Sequence, residues 1–224
     1  MLREIAHFLR ISPAVLKLQK ELPQARFYDE IVTRADGEGF DHVRQALVGD
    51  LEGRVLEIGG GTGANLSYYG EGVESLTVTE PEPPMLKRLE RKAREQNSHA
   101  TILRAPAEDL PFEDASFDTV VSTLGLCGVD DQPRAVRELR RVLRPGGRLI
   151  FIEHVRSDDP HTAKMQDRMN PLNRFVVCCD CNRPTLDTVR SAGFAVTELE
   201  QTELPKAPPF GRPLIIGTAT APAA

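Results

Sequence analysis

From residue 54 onward, short apolar runs alternate with stretches whose apolar residues recur at helical spacing. Val55, Leu56 and Ile58, tightly grouped around Glu57, predict a buried strand over 54–58. Comparable runs predict strands over 75–79, 101–103, 117–122 and 148–155, with 194–199 and 214–218 closing the series. Between them, Met85, Leu86, Leu89 and Ala93 share one helical face behind Pro84, a residue suited to a first helical turn. Val136, Leu139, Val142 and Leu143 mark the core side of a helix over 132–143. Pro184 opens a further helix that stops at Gly193, where a left-handed terminus costs no Cβ clash.

Strand–helix alternation with strands apolar on both faces predicts an α/β fold. Its form is a Rossmann-like, doubly wound, seven-stranded sheet, mostly parallel. No helix separates the last two strands, so the final strand is expected to be antiparallel. Residues 1–48 read as an N-terminal helical cover, broken at Pro13, Pro23 and Gly37-Glu38-Gly39, and 49–224 as the main domain. In such sheets ligands bind beyond the carboxyl ends of the strands, near the switch in strand order.

The net charge of -5 argues against a nucleic-acid partner, since phosphate binding needs clustered cations. Arg134, Arg137, Arg140, Arg141 and Arg144 do cluster, but they read as a solvated helix face ending at the negative pole of the dipole. No uncharged apolar run has the length of a membrane span, and residues 1–20 have no signal-peptide pattern. The expectation is therefore a cytoplasmic protein. Three of the four cysteines, Cys178, Cys179 and Cys181, crowd into four positions, a poor layout for disulfides. Their C-x-x-C spacing has no second pair and no histidine at ligand spacing, so no metal is expected. With Cys127, they read as buried thiols lining a pocket.

The richest segment is Glu57-Ile58-Gly59-Gly60-Gly61-Thr62-Gly63-Ala64-Asn65. Glycines at 59, 61 and 63 let the backbone turn sharply and approach a ligand. Gly59, Gly61 and Ala64 also satisfy the dinucleotide pattern, so an NAD-type oxidoreductase is a rival reading. Three features favour S-adenosylmethionine instead. Glu57 would meet its cationic amino-acid end and would repel a pyrophosphate. Glu80, 23 residues further on at the end of the second strand, can accept both ribose hydroxyls. Ala107-Glu108-Asp109-Leu110-Pro111-Phe112 follows the third strand, where an acid can receive the adenine amino group.

Together with Phe117-Asp118 and Leu143-Arg144-Pro145-Gly146-Gly147, these segments resemble the class I S-adenosylmethionine-dependent methyltransferases, in the family's order and spacing from Arg54 to about Val155. The likeness is to the small-molecule branch that includes the quinone-biosynthesis C-methyltransferases. It implies that Glu57, Gly59, Gly61 and Gly63 hold the methionine end, Glu80 the ribose, and Glu108 with Asp109 the adenine side. It extends the cofactor contacts to Gly60, Thr62, Asn65, Pro81, Met85, Ala107, Thr123 and Leu124, with Tyr28 closing over the cofactor.

A narrower likeness is to methyltransferase-like proteins that methylate alkyl thiols. Arg26-Phe27-Tyr28-Asp29, Thr123-Leu124-Gly125-Leu126-Cys127, Ile152-Glu153-His154-Val155 and Cys181-Asn182 carry it. The eukaryotic members have a hydrophobic N-terminal membrane segment that residues 1–20 do not match, and the chain is two residues shorter just after Cys181-Asn182. The acceptor side is thereby expected at Cys127, His154, Cys181 and Asn182, with His154 as base or substrate contact. The expected activity is methyl transfer to a small, fairly apolar acceptor, a thiol first and a phenolic or quinone-type compound next. A homodimer is the assembly allowed for. A non-catalytic module is disfavoured by the intact glycine loop and Glu80.

Overall fold

In a computed structural model, Asp29, Glu30, Thr33 and residues 35–223 are described. Tyr28 and the helical cover expected before it lie outside the described residues. The elements run α1 (Asp41–Val48), β1 (Gly53–Ile58), β2 (Val73–Thr79), α2 (Pro83–Glu95), β3 (Thr101–Leu103), β4 (Phe117–Thr123), α3 (Gln132–Val142), β5 (Leu143–His154), α4 (Pro160–Val177), α5 (Thr185–Ser191), β6 (Ala195–Glu203) and β7 (Pro213–Thr220). A π-helical turn, Asp36–Phe40, leads into α1, and the break anticipated at Gly37-Glu38-Gly39 is a kink inside it at Glu38 and Gly39.

The seven strands form one sheet in the order β3-β2-β1-β4-β5-β7-β6. All neighbours are parallel except β7, which runs antiparallel to both β5 and β6. The order reverses between β1 and β4, so the expected ligand crevice opens there, beyond Ile58 and Thr123. Register places the ends of β1, β2, β4 and β5 along one rim, with Ile58 beside Thr79 and Ser122, and Thr123 beside Ile152.

Both faces of the central strands are covered, which is why they read as unbroken apolar runs. Leu56, Val120, Leu149 and Phe151 pack against Ala135, Val136, Leu139 and Val142 of α3. The alternate residues Val55, Val121 and Ile150 pack against Val48 of α1. On β7, Gly217 makes room for the Phe151 ring: a Cβ there would lie 2.6 Å from Phe151 Cζ. The outer strand β6 carries Glu198, Glu200 and Glu203, charges that guard an open edge.

Two expectations change. Of the arginine cluster, Arg140, Arg141 and Arg144 act as tethers, while Arg134 and Arg137 are exposed as a solvated face would be. Arg141 donates to the carbonyls of Phe112 (2.7 Å) and Leu110 (3.0 Å) and to the carboxylates of Glu138 and Asp114, and so pins the loop after β3. Arg140 donates to Ala192 O, and Arg144 pairs with Asp118. The second change is α4, 18 residues long, which the apolar periodicity did not announce because its work is done by polar side chains. No helix among the described residues is long and apolar enough to cross a membrane.

Candidate functional site

Beyond β1 the chain turns through Gly59, Gly61 and Gly63 at φ of 60°, 57° and 86°, conformations that a Cβ would strain. The loop folds back on β2. Gly60 N–H donates to Thr79 O, and Gly61 N–H donates to Glu80 Oε2 at 2.8 Å. Glu82 N–H donates to the other Glu80 oxygen at 2.9 Å. Glu80 thus ties the glycine loop to the start of α2, and Pro81 and Met85 follow at that junction. Burial nevertheless pushes its carboxyl up to about 6.

Glu57 is only 4% exposed and accepts from Asn65 Nδ2 and from Tyr69 Oη, both at 2.8 Å. Asn65 also donates to Thr123 Oγ1 at 3.0 Å, and its own oxygen accepts from buried Arg44 at 3.0 Å. Sequence reasoning missed Arg44 and Tyr69, because neither lies in a motif. Among the described residues no cation is ion-paired with Glu57; Arg44 is linked to it through Asn65, and burial pushes the Glu57 carboxyl up to about 7. Two buried carboxylates on one rim, neither ion-paired among the described residues, are suited to a ligand that brings hydroxyls and a cation. They would repel a pyrophosphate. These residues fit S-adenosylmethionine.

After β4 the chain enters the loop at Thr123 and Leu124, the latter at φ 56°. Its shape is set from beneath by Glu153. That fully buried carboxylate accepts from Ser122 Oγ (2.6 Å) and from the N–H groups of Gly125 (3.0 Å), Leu126 (2.9 Å) and Cys127 (2.9 Å). Leu124 joins an apolar cluster with Phe40, Ile152, Leu204 and Leu214.

Cys127 then meets His154 at the end of β5. Its Sγ lies 3.6 Å from His154 Nδ1, and Cys179 Sγ lies 3.3 Å from the same nitrogen. His154 Nε2 lies 3.0 Å from Gly211 O; a carbonyl only accepts, so Nε2 carries the proton. In the neutral tautomer, Nδ1 is then an acceptor facing two sulfurs. A hydrogen bond with the free thiol of Cys179 and burial together push the Cys127 thiol well up.

The structure joins Cys127 and His154 but brings Cys179, not Cys181, to them. Cys181 sits apart against Asn170 Oδ1, and Asn182 donates to Asp167. Of the adenine-side pair, Glu108 accepts from the N–H groups of Asp130 and Asp131, and Asp109 is exposed. Ala107 is buried, with Leu110, in the core under α3.

The turn bearing Cys179 is held by α4. Gln166 donates to the carbonyls of Val155 (2.9 Å) and Cys181 (2.7 Å), Asn173 donates to Cys179 O (2.7 Å), and Asn170 donates to Asp180 (2.8 Å). Cys178, at φ 54°, ends the helix.

Comparison with known proteins bears on the family and the fold. Residues 56–151 match the family model described as a methyltransferase domain. The chain is 38% identical over 173 residues to thiol S-methyltransferase TMT1B of Homo sapiens, covering 74% of this chain and 69% of that one. It is 30% identical to a ubiquinone/menaquinone biosynthesis C-methyltransferase of Hahella chejuensis, covering 66% of each. A solved methyltransferase from Methanosarcina mazei superposes with a TM-score of 0.61 at 19% identity, over 81% of this chain and 98% of the other, a likeness of fold.

Proposed function

The chain belongs to the class I S-adenosylmethionine-dependent methyltransferases, and from that premise we propose that it methylates a small, fairly apolar thiol. The observation that carries the acceptor is the likeness to a named thiol S-methyltransferase, which spans both the donor rim and the Cys127–His154 side. S-adenosylmethionine, when bound, supplies a methyl group on a positively charged sulfur, already activated for in-line displacement.

The chain's own residues then have three tasks. Glu57 and Glu80, with the glycine loop, bind and orient the donor. Glu153 fixes the loop 124–127 over the crevice, so that the acceptor is held at a set distance from the donor. Leu124 and the apolar cluster behind it exclude water and favour an apolar acceptor. His154 has both ring nitrogens engaged and serves here as a positioning residue rather than a base. A thiol tolerates that arrangement because its sulfur is intrinsically very nucleophilic, so that even a small thiolate fraction can react without an adjacent base.

Incubation with S-adenosylmethionine and a panel of alkyl thiols, with phenols and quinols alongside, tests the reading by mass spectrometry. Methyl thioether formation in excess over the other classes is expected. Transfer only to ring carbon or phenolic oxygen would replace the thiol by the quinone-type acceptor, the reading favoured by the second relative.

A further inference from the structure

Three segments far apart in sequence converge on a small volume near the end of β5. Cys127 comes from the loop after β4, His154 from the strand end, and Cys179 from the turn after α4. Their ligand atoms, two sulfurs and Nδ1, all lie within 4.8 Å of one another, and all three residues are buried. We propose that Cys127, His154 and Cys179 form a binding site for a thiophilic d10 metal ion, zinc above all. The proposal does not depend on the acceptor being a thiol.

The distances carry it. Zn–S near 2.3 Å and Zn–N near 2.0–2.1 Å at a tetrahedral angle put sulfur and nitrogen about 3.6 Å apart, and two sulfurs about 3.8 Å apart. The two S···Nδ1 separations, 3.6 and 3.3 Å, already match. Only the sulfurs need to draw together, by about 1 Å at most, within the 4.8 Å limit.

Support around the ligands has the same form. His154 donates its other ring proton to Gly211 O, the contact that orients a metal-ligating imidazole and fixes its tautomer. The Cys127 backbone hangs on Glu153, and the Cys179 carbonyl is gripped by Asn173. Both thiols therefore sit on anchored backbone. A Cys-Cys-His set is soft enough to favour zinc over magnesium or calcium. With three protein ligands, the fourth position is left to water or an exogenous ligand. Binding releases the two thiol protons to solvent as the thiolates coordinate. No short motif spacing announces the set: its ligands are separated by 27 and 25 residues.

The test uses the full chain, stripped with a chelator under a non-coordinating reductant, then titrated with zinc against a chromogenic chelator. One equivalent bound tighter than micromolar is expected, with proton release on binding. Cobalt in place of zinc should give thiolate charge-transfer absorption and tetrahedral ligand-field bands. Cys127→Ser and Cys179→Ser should each weaken zinc at least ~10-fold, as losing one of three ligands exceeds the 10–100-fold cost typical of outer-shell changes. Cys178→Ser should leave affinity unchanged. No stoichiometric binding to the wild type overturns the proposal, as does binding that survives the double serine variant. Should a serine variant fail to fold, the wild-type cobalt spectrum decides: absence of thiolate charge transfer is a refutation.

Discussion

The donor rim and the acceptor side occupy neighbouring strand ends, yet they are built in opposite ways. On the donor rim, Glu57, the glycine loop and Asn65 come from nine consecutive residues, and Glu80 lies one strand further on. Most of that constellation is local, and its carboxylates stay under-compensated, which leaves capacity for a ligand. On the acceptor side, Cys127, His154 and Cys179 are assembled from three distant segments. There the buried carboxylate is Glu153, and it is satisfied by four donors. One side reserves its polar capacity for a ligand, and the other consumes it to hold a loop.

The largest expected effect tests that contrast directly. Glu153→Ala strands the N–H groups of Gly125 and Cys127 and the Ser122 hydroxyl in the interior, and leaves Leu126 N–H only its longer bond to Ser122 Oγ. At about 1–3 kcal/mol for each unsatisfied group, it should destabilise the fold by at least ~3 kcal/mol in denaturant titration, with Glu153→Gln recovering part. Glu80→Ala should do the reverse. It should weaken S-adenosylhomocysteine ~10–100-fold by calorimetry, as the loss of charge-assisted bonds worth about 1.5–3 kcal/mol implies, with a smaller change in stability. If donor affinity falls as far in a folded Glu153→Gln variant as in Glu80→Ala, the two regions are not separable in the way described.

Glu57 sharpens the comparison through pH. Its carboxyl is raised from 4.5 to about 7 by burial, so the folded state holds a proton that the unfolded chain has released. Stability should therefore fall as pH rises from about 4.5 to about 7, then level off. The full span is of order 3 kcal/mol. Glu57→Gln should flatten that slope and raise the melting temperature at pH 8, while weakening donor binding. A steeper slope in the variant would refute the assignment. The smallest effect is expected at Arg141. Arg141→Lys keeps the charge but cannot serve two carbonyls and two carboxylates at once, and should cost about 1–2 kcal/mol with donor affinity changed only a few-fold.

The same contrast explains what the sequence made legible. The strands were visible because β1, β4 and β5 are apolar on both faces, and the donor residues because the glycine loop and two strand-end acids sit at fixed short spacings. Helix α4 was not visible: its contribution is Gln166, Asn170 and Asn173 bonded to carbonyls and side chains of other segments, which leaves no apolar stripe. Arg44 and Tyr69 were missed for the same reason, since each acts on Glu57 or Asn65 across the fold. Cys181 drew attention through its neighbours in sequence, while Cys179, two residues earlier, is the one that turns toward His154. Spacing reports local chemistry well, and says little about contacts that only the sheet creates.

The placement of β7 between β5 and β6 has a consequence for synthesis. β7 follows both in the chain, so Leu149 and Phe151 of β5 wait beside an unpaired edge until residues 213–220 emerge from the ribosome. During that interval the nascent chain exposes an apolar, unpaired strand edge, the condition under which partly folded chains associate with one another. Chaperone dependence, and inclusion-body formation on rapid expression, should accordingly track how quickly the last strand is delivered.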